Sequence, residues 1–434
     1  MTFDTADIVL SVIKIVVVVG LMLNAVSVMV WVERRGRALI QDRLGPNRVG
    51  PFGLLQSMAD ALKFILKEDV VPEQAHKWLY TIAPMFGLLP ALTTIAVVPW
   101  GHAFVIPQSI VFTGAVSTGL MVAALACILL AIVITVATNR YRHSRGATKV
   151  TSVIGFLVAA GLFVAGLALI GIFAALKSAG AVHVPGGGHL FEPIIADVPV
   201  GILVIFALSS ISVYGIVTAG WASANKYSLF GGIRASAQMI SYELALALSA
   251  VSALMVAGSL RLTDVVAHQT GYFVLFDAIR IPSWNCFSPA MWLSMIVFIV
   301  AAFAETNRLP FDFAEADAEL VAGYHTEYSS MKFAMFFMSE YIAMTTMSAL
   351  IVTLFFGGWD IPWWNEPATF TAFVLSALAF VAKVAFVLFV FVWVRWTIPR
   401  LKYDILMRVG WKVFLPLAVV NIVIVAWFIA MGWI

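Results

Sequence analysis

Residues 8–53 read IVLSVIKIVVVVGLMLNAVSVMVWVERRGRALIQDRLGPNRVGPFG. The part from 8 to 32 carries one charge, Lys14, near its start. It is long enough to cross a bilayer as a helix, and Lys14 can reach back to the interface. Arg34, Arg35, Arg37, Arg43 and Arg48 follow at once. A basic flank of this kind stays on the cytoplasmic side, which leaves the N-terminus outside. The run lacks a basic start and a clear cleavage site, so it reads as a retained span and not as a signal peptide.

Similar apolar runs recur at about 79–98, 110–137, 151–176, 198–220, 233–257, 291–304, 332–356, 370–393 and 411–433. All exceed the length of a tilted barrel strand and none alternates with period two, so the backbone must satisfy itself as helices. The expected fold is an all-α polytopic transmembrane bundle of about ten spans, one integral membrane domain over 1–434, with the C-terminus outside as well. The chain is 62% hydrophobic and 11% charged, with a mean hydropathy of +0.99, which leaves no room for a soluble domain. Charge supports the topology independently. Of 26 Lys and Arg residues, only Lys177, Arg261 and Arg280 fall clearly on the outer side. Connectors 139–149 and 395–412 are basic and belong inside.

Between 51 and 67 the pattern changes. Leu54, Leu55, Met58, Leu62, Ile65 and Leu66 share one helical face, with Gln56, Asp60, Lys63 and Lys67 opposite. This amphipathic helix either lies in the membrane interface or packs as a surface helix on its neighbours. The glycine-rich stretch 177–191 has no lysine-serine ending and reads as a flexible outer loop, not a phosphate cradle. A net charge of +3, carried by membrane-flanking loops, gives nucleic-acid binding no support. Cys127 and Cys286 stand far apart without a CxxC pattern, and the seven histidines form no HxxxH. Neither an iron–sulfur cluster nor a metal is expected on this chain.

Residues 304–330, AETNRLPFDFAEADAELVAGYHTEYSS, place Glu305, Asp312, Glu315, Asp317, Glu319 and Glu327 on the inner side with Arg308 as the lone base. The segment is either a solvated acidic loop or a proton-handling element, because crowded carboxylates hold protons more tightly than isolated ones. Glu243 lies about ten residues into its span, roughly 15 Å of helix, and Glu340 about 12 Å into another. Glu305 closes a third, and Lys383 sits near the middle of a fourth. A single intramembrane glutamate can be a protonated packing residue. Three at one depth beside an acidic loop suggest a polar file entering the membrane, with Lys383 as a counter-charge.

Four segments, 33–69, 220–243, 304–341 and 395–417, resemble the hallmark segments of the H-type membrane subunits of bacterial NADH:quinone oxidoreductases (respiratory complex I), a family whose mitochondrial counterpart is NADH dehydrogenase subunit 1. The resemblance covers about 8–100 and 195–417. It implies a subunit of the bacterial inner membrane that adjoins the peripheral arm and shapes the tunnel by which quinone, the substrate, reaches an iron–sulfur cluster held by a partner. NADH, FMN and the clusters would belong to partner subunits. Other implied neighbours are adjacent small membrane subunits and lipid. The first span, the amphipathic helix and the span near Lys332 would frame the quinone entrance. Glu33, Arg34, Arg35, Arg43, Arg234, Glu243, Glu305, Arg308, Asp312, Glu315, Asp317, Glu319, Glu327, Glu340 and Lys383 would serve the quinone chamber and the path coupling it to proton movement.

Two departures stand out. The family core has eight spans, so 101–194 reads as a two-helix insertion, and Asp317 stands where many relatives have glutamate. Two other functions remain open: the equivalent subunit of a membrane-bound hydrogenase or related dehydrogenase, and a self-sufficient proton-coupled transporter. Against the latter, no inverted repeat or pair of broken spans is visible.

Overall fold

The computed structural model describes residues 5–106, 189–275, 279–312, 321–364, 367 and 369–432. The runs expected at 110–137 and 151–176, and Glu315, Asp317 and Glu319, lie outside these residues. The chain divides into two compact units, one of residues 1–102, 192–367 and 371–434 and one of residues 103–191 and 368–370. Within the smaller, β1 (Phe104–Ile106) pairs antiparallel with β2 (His189–Phe191).

The larger unit is helical. Its elements are α1 (Thr5–Ile40), α2 (Gln56–Leu66), α3 (Lys77–Thr94), α4 (Gly201–Ala222), α5 (Lys226–Ala257), α6 (Leu262–Gln269), α7 (Pro289–Glu305), α8 (Ser330–Phe355), α9 (Phe370–Thr397), α10 (Tyr403–Val409) and α11 (Leu415–Ala430). A π-helical turn, Gly410–Phe414, fuses α10 and α11 into one span. Among the described residues seven helices are long and apolar enough to cross a membrane, and α7 is a shorter apolar helix. The chain is therefore a multi-pass, all-α membrane bundle.

Local chemistry sets the boundaries. The Asn225 side chain accepts from the Tyr227 amide at 2.9 Å and opens α5, and Gly258, at φ +65°, closes it by donating to the Leu254 carbonyl. Helices α1 and α9 outrun their apolar stretches. Arg34, Arg35 and Arg37 are good helix formers, so α1 continues to Ile40 where the sequence pattern suggested a loop. Helix α9 carries Arg395 within its last turn and stops just before Pro399, whose ring disfavours helix in the preceding residue. Residues 258–288, expected only as an outer segment, form α6 and a hairpin of β3 (Tyr272–Leu275) and β4 (Ile279–Pro282).

Packing runs from α3 to α4, from α4 to α5 and from α5 to α7, with α8 against α3 and α11 against α5. Helices α4 and α5 approach most closely at glycine. A Cβ on Gly220 would stand 2.6 Å from the Ser228 carbonyl oxygen, and one on Gly232 3.1 Å from that of Ile216. Small residues permit this backbone contact, which gains dispersion energy that lipid cannot supply.

Candidate functional site

The acidic stretch begins as a tight turn at the end of α7. Arg308 donates its amide to the Phe303 carbonyl at 3.1 Å, and Phe311 donates to that of Arg308 at 2.8 Å. Gln238 of α5, fully buried, pins both ends by donating to the carbonyls of Ala304 (2.8 Å) and Phe311 (2.7 Å). The turn holds Arg308 inward, only 2% exposed.

Around that guanidinium stands a buried charge chain. Arg308 Nη1 lies 3.8 Å from Glu33 Oε2 and Nη2 lies 3.8 Å from Glu340 Oε2, with the Tyr341 ring centroid 4.2 Å from its central carbon. Arg395 Nη1 lies 2.5 Å from the other oxygen of Glu33, and the Tyr341 hydroxyl donates to Glu33 Oε2 at 2.5 Å. The Tyr324 hydroxyl donates to Glu340 at 3.2 Å. Two carboxylates thus face two guanidinium groups, and charge balance is what makes so many buried ions tolerable. The elements explain the meeting: α1 and α9 each run past their apolar stretches and deliver Glu33 and Arg395 to the same point.

Deeper in the bundle, Glu305 and Glu340 line one cavity of about 60 Å³ together with Thr94, Ser209, Ser212, Asn307, Ser339 and Thr346. A water needs roughly 10–15 Å³ of such space and two or more polar partners, so this volume suits a short chain of waters. Neither oxygen of Glu305 meets a donor in full hydrogen-bonding geometry, while the Ser209 hydroxyl and the Glu243 carboxylate lie close enough to act on it electrostatically. Glu243 in turn accepts from the Ser210 hydroxyl. Glu340 and Glu305 thus line one cavity, and Glu243 lies within electrostatic reach of Glu305.

The remaining predicted residues scatter around this core. Asp312, 2% exposed, accepts from Arg400 at 3.1 Å. Glu327 accepts from Asn225 at 2.6 Å, and its carbonyl accepts from the Tyr80 hydroxyl at 2.7 Å. That tyrosine stacks on Tyr328, whose hydroxyl burial pushes well above the usual tyrosine range. Arg34 pairs with Asp60 of α2, Arg35 donates to the Phe52 carbonyl at 2.9 Å, and Arg43 shares a surface cleft with Arg34 and Arg37. Arg234 sits 5.4 Å from the Tyr403 ring. Lys383 is not brought to the glutamates. Its ammonium donates to the carbonyls of Phe356, Gly358 and Asp360, and Phe356 is sixteen residues, about 24 Å of helix, beyond Glu340.

The three elements expected to frame an entrance do meet. The Ser57 hydroxyl of α2 donates to the Ser27 carbonyl of α1 at 2.7 Å, and the Ser330 hydroxyl at the start of α8 donates to that of Phe64 at 2.9 Å. Lys332 bonds Asp69 at 2.8 Å. With α2 fastened through its polar side, Met58, Ile65 and Leu66 are left exposed. An uncovered apolar face is the arrangement of an interfacial helix.

Sequence reasoning missed Arg395, Tyr341, Tyr324, Gln238 and Arg400. Arg395 and Arg400 stand in a connector whose basic residues the inside rule already accounts for, so nothing marked them as ion-pair partners. A tyrosine two or more turns into an apolar helix carries no signal beyond interface preference.

A family model described as NADH dehydrogenase matches residues 13–171 and 143–426. The chain is 38% identical to an NADH-quinone oxidoreductase H-subunit of Koribacter versatilis over 97% of each chain. It is 38% identical to the corresponding H-subunit of Salinibacter ruber over 94% of this chain and 93% of that one, and 37% identical to NADH-quinone oxidoreductase subunit 8 of Rhodothermus marinus over 94% of each. Aligned with these relatives over nearly its whole length, the chain belongs to the NADH-quinone oxidoreductase H-subunit family.

Proposed function

We propose that this chain, as a membrane subunit of a proton-pumping NADH:quinone oxidoreductase, forms part of the quinone tunnel and the first stretch of the path that couples quinone reduction to proton translocation. The observation that carries the reading is the succession Arg395–Glu33–Arg308–Glu340, a cavity shared by Glu340 and Glu305, and Glu243 within electrostatic reach of Glu305. A structural ion pair needs no adjoining water-sized cavity lined by further carboxyls. A proton route does.

The iron–sulfur cluster that would supply electrons to quinone, like NADH and FMN, would be held by partner subunits. Reduced quinone binds two protons, so each turnover withdraws positive charge from the groups around it. Arg308 is the element that responds. It sits midway between Glu33 and Glu340, at 3.8 Å from each, so a proton gained by Glu340 releases the guanidinium toward Glu33 and one lost draws it back. The proton on Glu340 then crosses the cavity over Ser339, Thr346 and enclosed water to Glu305, and passes from there to the Glu243 carboxylate, which the Ser210 hydroxyl holds in place. Asp312 and Glu327 serve the chamber side, Glu315, Asp317 and Glu319 of the same acidic stretch are assigned to it from sequence, and Arg34, Arg35, Arg43 and Arg234 support the entrance and the acidic turn.

The surrounding organisation follows. The chain is one membrane domain of the bacterial inner membrane with both termini outside, and 101–194 is an insertion for lipid and subunit contact. The compact unit of residues 103–191 supports that boundary. Partners are the peripheral-arm subunits that hold the cluster and complete the quinone site, and small membrane subunits alongside. Purification tests the reading. The protein should leave the membrane with hydrophilic iron–sulfur subunits and support NADH-driven quinone reduction blocked by a tunnel inhibitor. A chain that purifies alone and moves protons in liposomes would refute it.

A further inference from the structure

Lys383 lies thirteen residues into α9, about 20 Å along the helix from Phe370. Its ammonium donates to three backbone carbonyls, those of Phe356 (2.8 Å), Gly358 (3.1 Å) and Asp360 (2.7 Å), and stands 3.8 Å from the centroid of the Trp284 ring. These carbonyls belong to the turn that follows the last residue of α8, Phe355, at the negative end of the helix dipole. A protonated primary amine has three N–H donors. The cage offers three oxygens and an aromatic face.

The cage is held from outside the lysine. Gly357 and Gly358 turn the chain at φ +70° and +53°, aiming successive carbonyls inward. Trp284 is fixed over the ammonium by its own bond to the Asp360 carboxylate at 2.7 Å, so that carboxylate is engaged with the indole. Gln269, fully buried, accepts from the Gly357 amide at 3.1 Å and donates to the Thr353 carbonyl at 2.9 Å. Asn285 donates to the Leu354 carbonyl at 2.7 Å. Backbone, the neutral side chains of Gln269 and Asn285, and the Asp360 carboxylate through Trp284 thus shape the cage, and the lysine supplies the ammonium that fills it.

We propose that Lys383 is a positioning residue, a tethered cation whose ammonium fills a carbonyl cage at the end of α8 and so fixes the height at which Glu340 meets Arg308. The consequence for Glu340 rests on the function proposed above. The cage itself does not.

The test uses the whole complex carrying Lys383→Ala, which removes three carbons and the amine, the size of n-propylammonium. Quinone reduction, normalised to NADH oxidation by a soluble acceptor, is expected to fall about tenfold, the scale of losing one charge-assisted hydrogen-bond set. Millimolar n-propylammonium should restore at least half of it, and the uncharged isostere propan-1-ol should restore none. The thermal midpoint of the complex should drop and recover in step. The midpoint reports on the cage even if Glu340→Gln shows that residue to be dispensable. Lys383→Arg, which keeps charge and donors, should assemble and retain activity within threefold. Full activity in Lys383→Ala, a loss that propylammonium leaves untouched, or equal rescue by propanol would overturn the proposal. Should Lys383→Ala not assemble, Lys383→Arg decides: assembled and active supports the cage, unassembled or inactive refutes it.

Discussion

Removing the Arg395 guanidinium leaves Glu33 with the Tyr341 hydroxyl at 2.5 Å and with Arg308 at 3.8 Å, beyond hydrogen-bond reach. Breaking a buried pair by deleting one partner costs about 3–5 kcal/mol, because the other charge stays buried. Arg395→Met is therefore expected to destabilise the assembled complex by about 3 kcal/mol, and Arg395→Met with Glu33→Gln by clearly less than the sum of the single changes. Thermal unfolding of the four variants measures this, and additive losses would contradict the pairing. In the short turn before α7, burial pushes the Cys286 thiol up to about 11, against the pull of the nearby Lys383 charge. A thiolate fraction near one in a thousand at pH 8 follows. Alkylation of Cys286, located by mass spectrometry, should be slow at neutral pH and rise about tenfold per pH unit toward pH 11. Lys383→Met should slow it further, since the lowering influence is then gone. Unchanged alkylation would place the ammonium elsewhere. None of this was readable at Lys383 from sequence: its partners are backbone carbonyls, which leave no mark on residue identity, so the eye goes to carboxylates.

Helix ends decide what the residues can do. Had α1 stopped at the membrane edge, Glu33 through Arg37 would form a loose basic loop. As helix, successive side chains rotate by about 100°, so Glu33 turns into the bundle, Arg34 reaches Asp60, Arg35 reaches the Phe52 carbonyl and Arg37 lies 5.0 Å from the Trp396 ring. Apolar periodicity marked where each span runs but not how far polar turns extend it. That extension is what brings Glu33 to Arg395. Likewise, the α4–α5 contact depends on glycines whose sequence positions look unremarked within apolar runs. Gly220→Ala forces a methyl against the Ser228 carbonyl and is expected to cost about 1–3 kcal/mol by overpacking. A lowered thermal midpoint would register this, whereas an unchanged one would mean that α4 and α5 slide apart at little cost.

For the molecule as a whole, composition and run length were enough to read an all-α membrane bundle, and the spans they marked within the described residues are helices. Depth along each run was enough to align Glu243, Glu305 and Glu340. Which carboxylates share a cavity was not legible, because that depends on helix rotation and on hydroxyls such as Ser209 and Ser339 that sequence treats as neutral filler. The account stands on Glu305 as the link between Glu340 and Glu243. Glu305→Gln keeps size and hydrogen-bonding shape but cannot carry a proton. In proteoliposomes containing the complete complex, protons translocated per electron should fall sharply, with quinone reduction slowed as well. A Glu305→Gln enzyme that reduces quinone at the full rate with the full proton-to-electron ratio would contradict it.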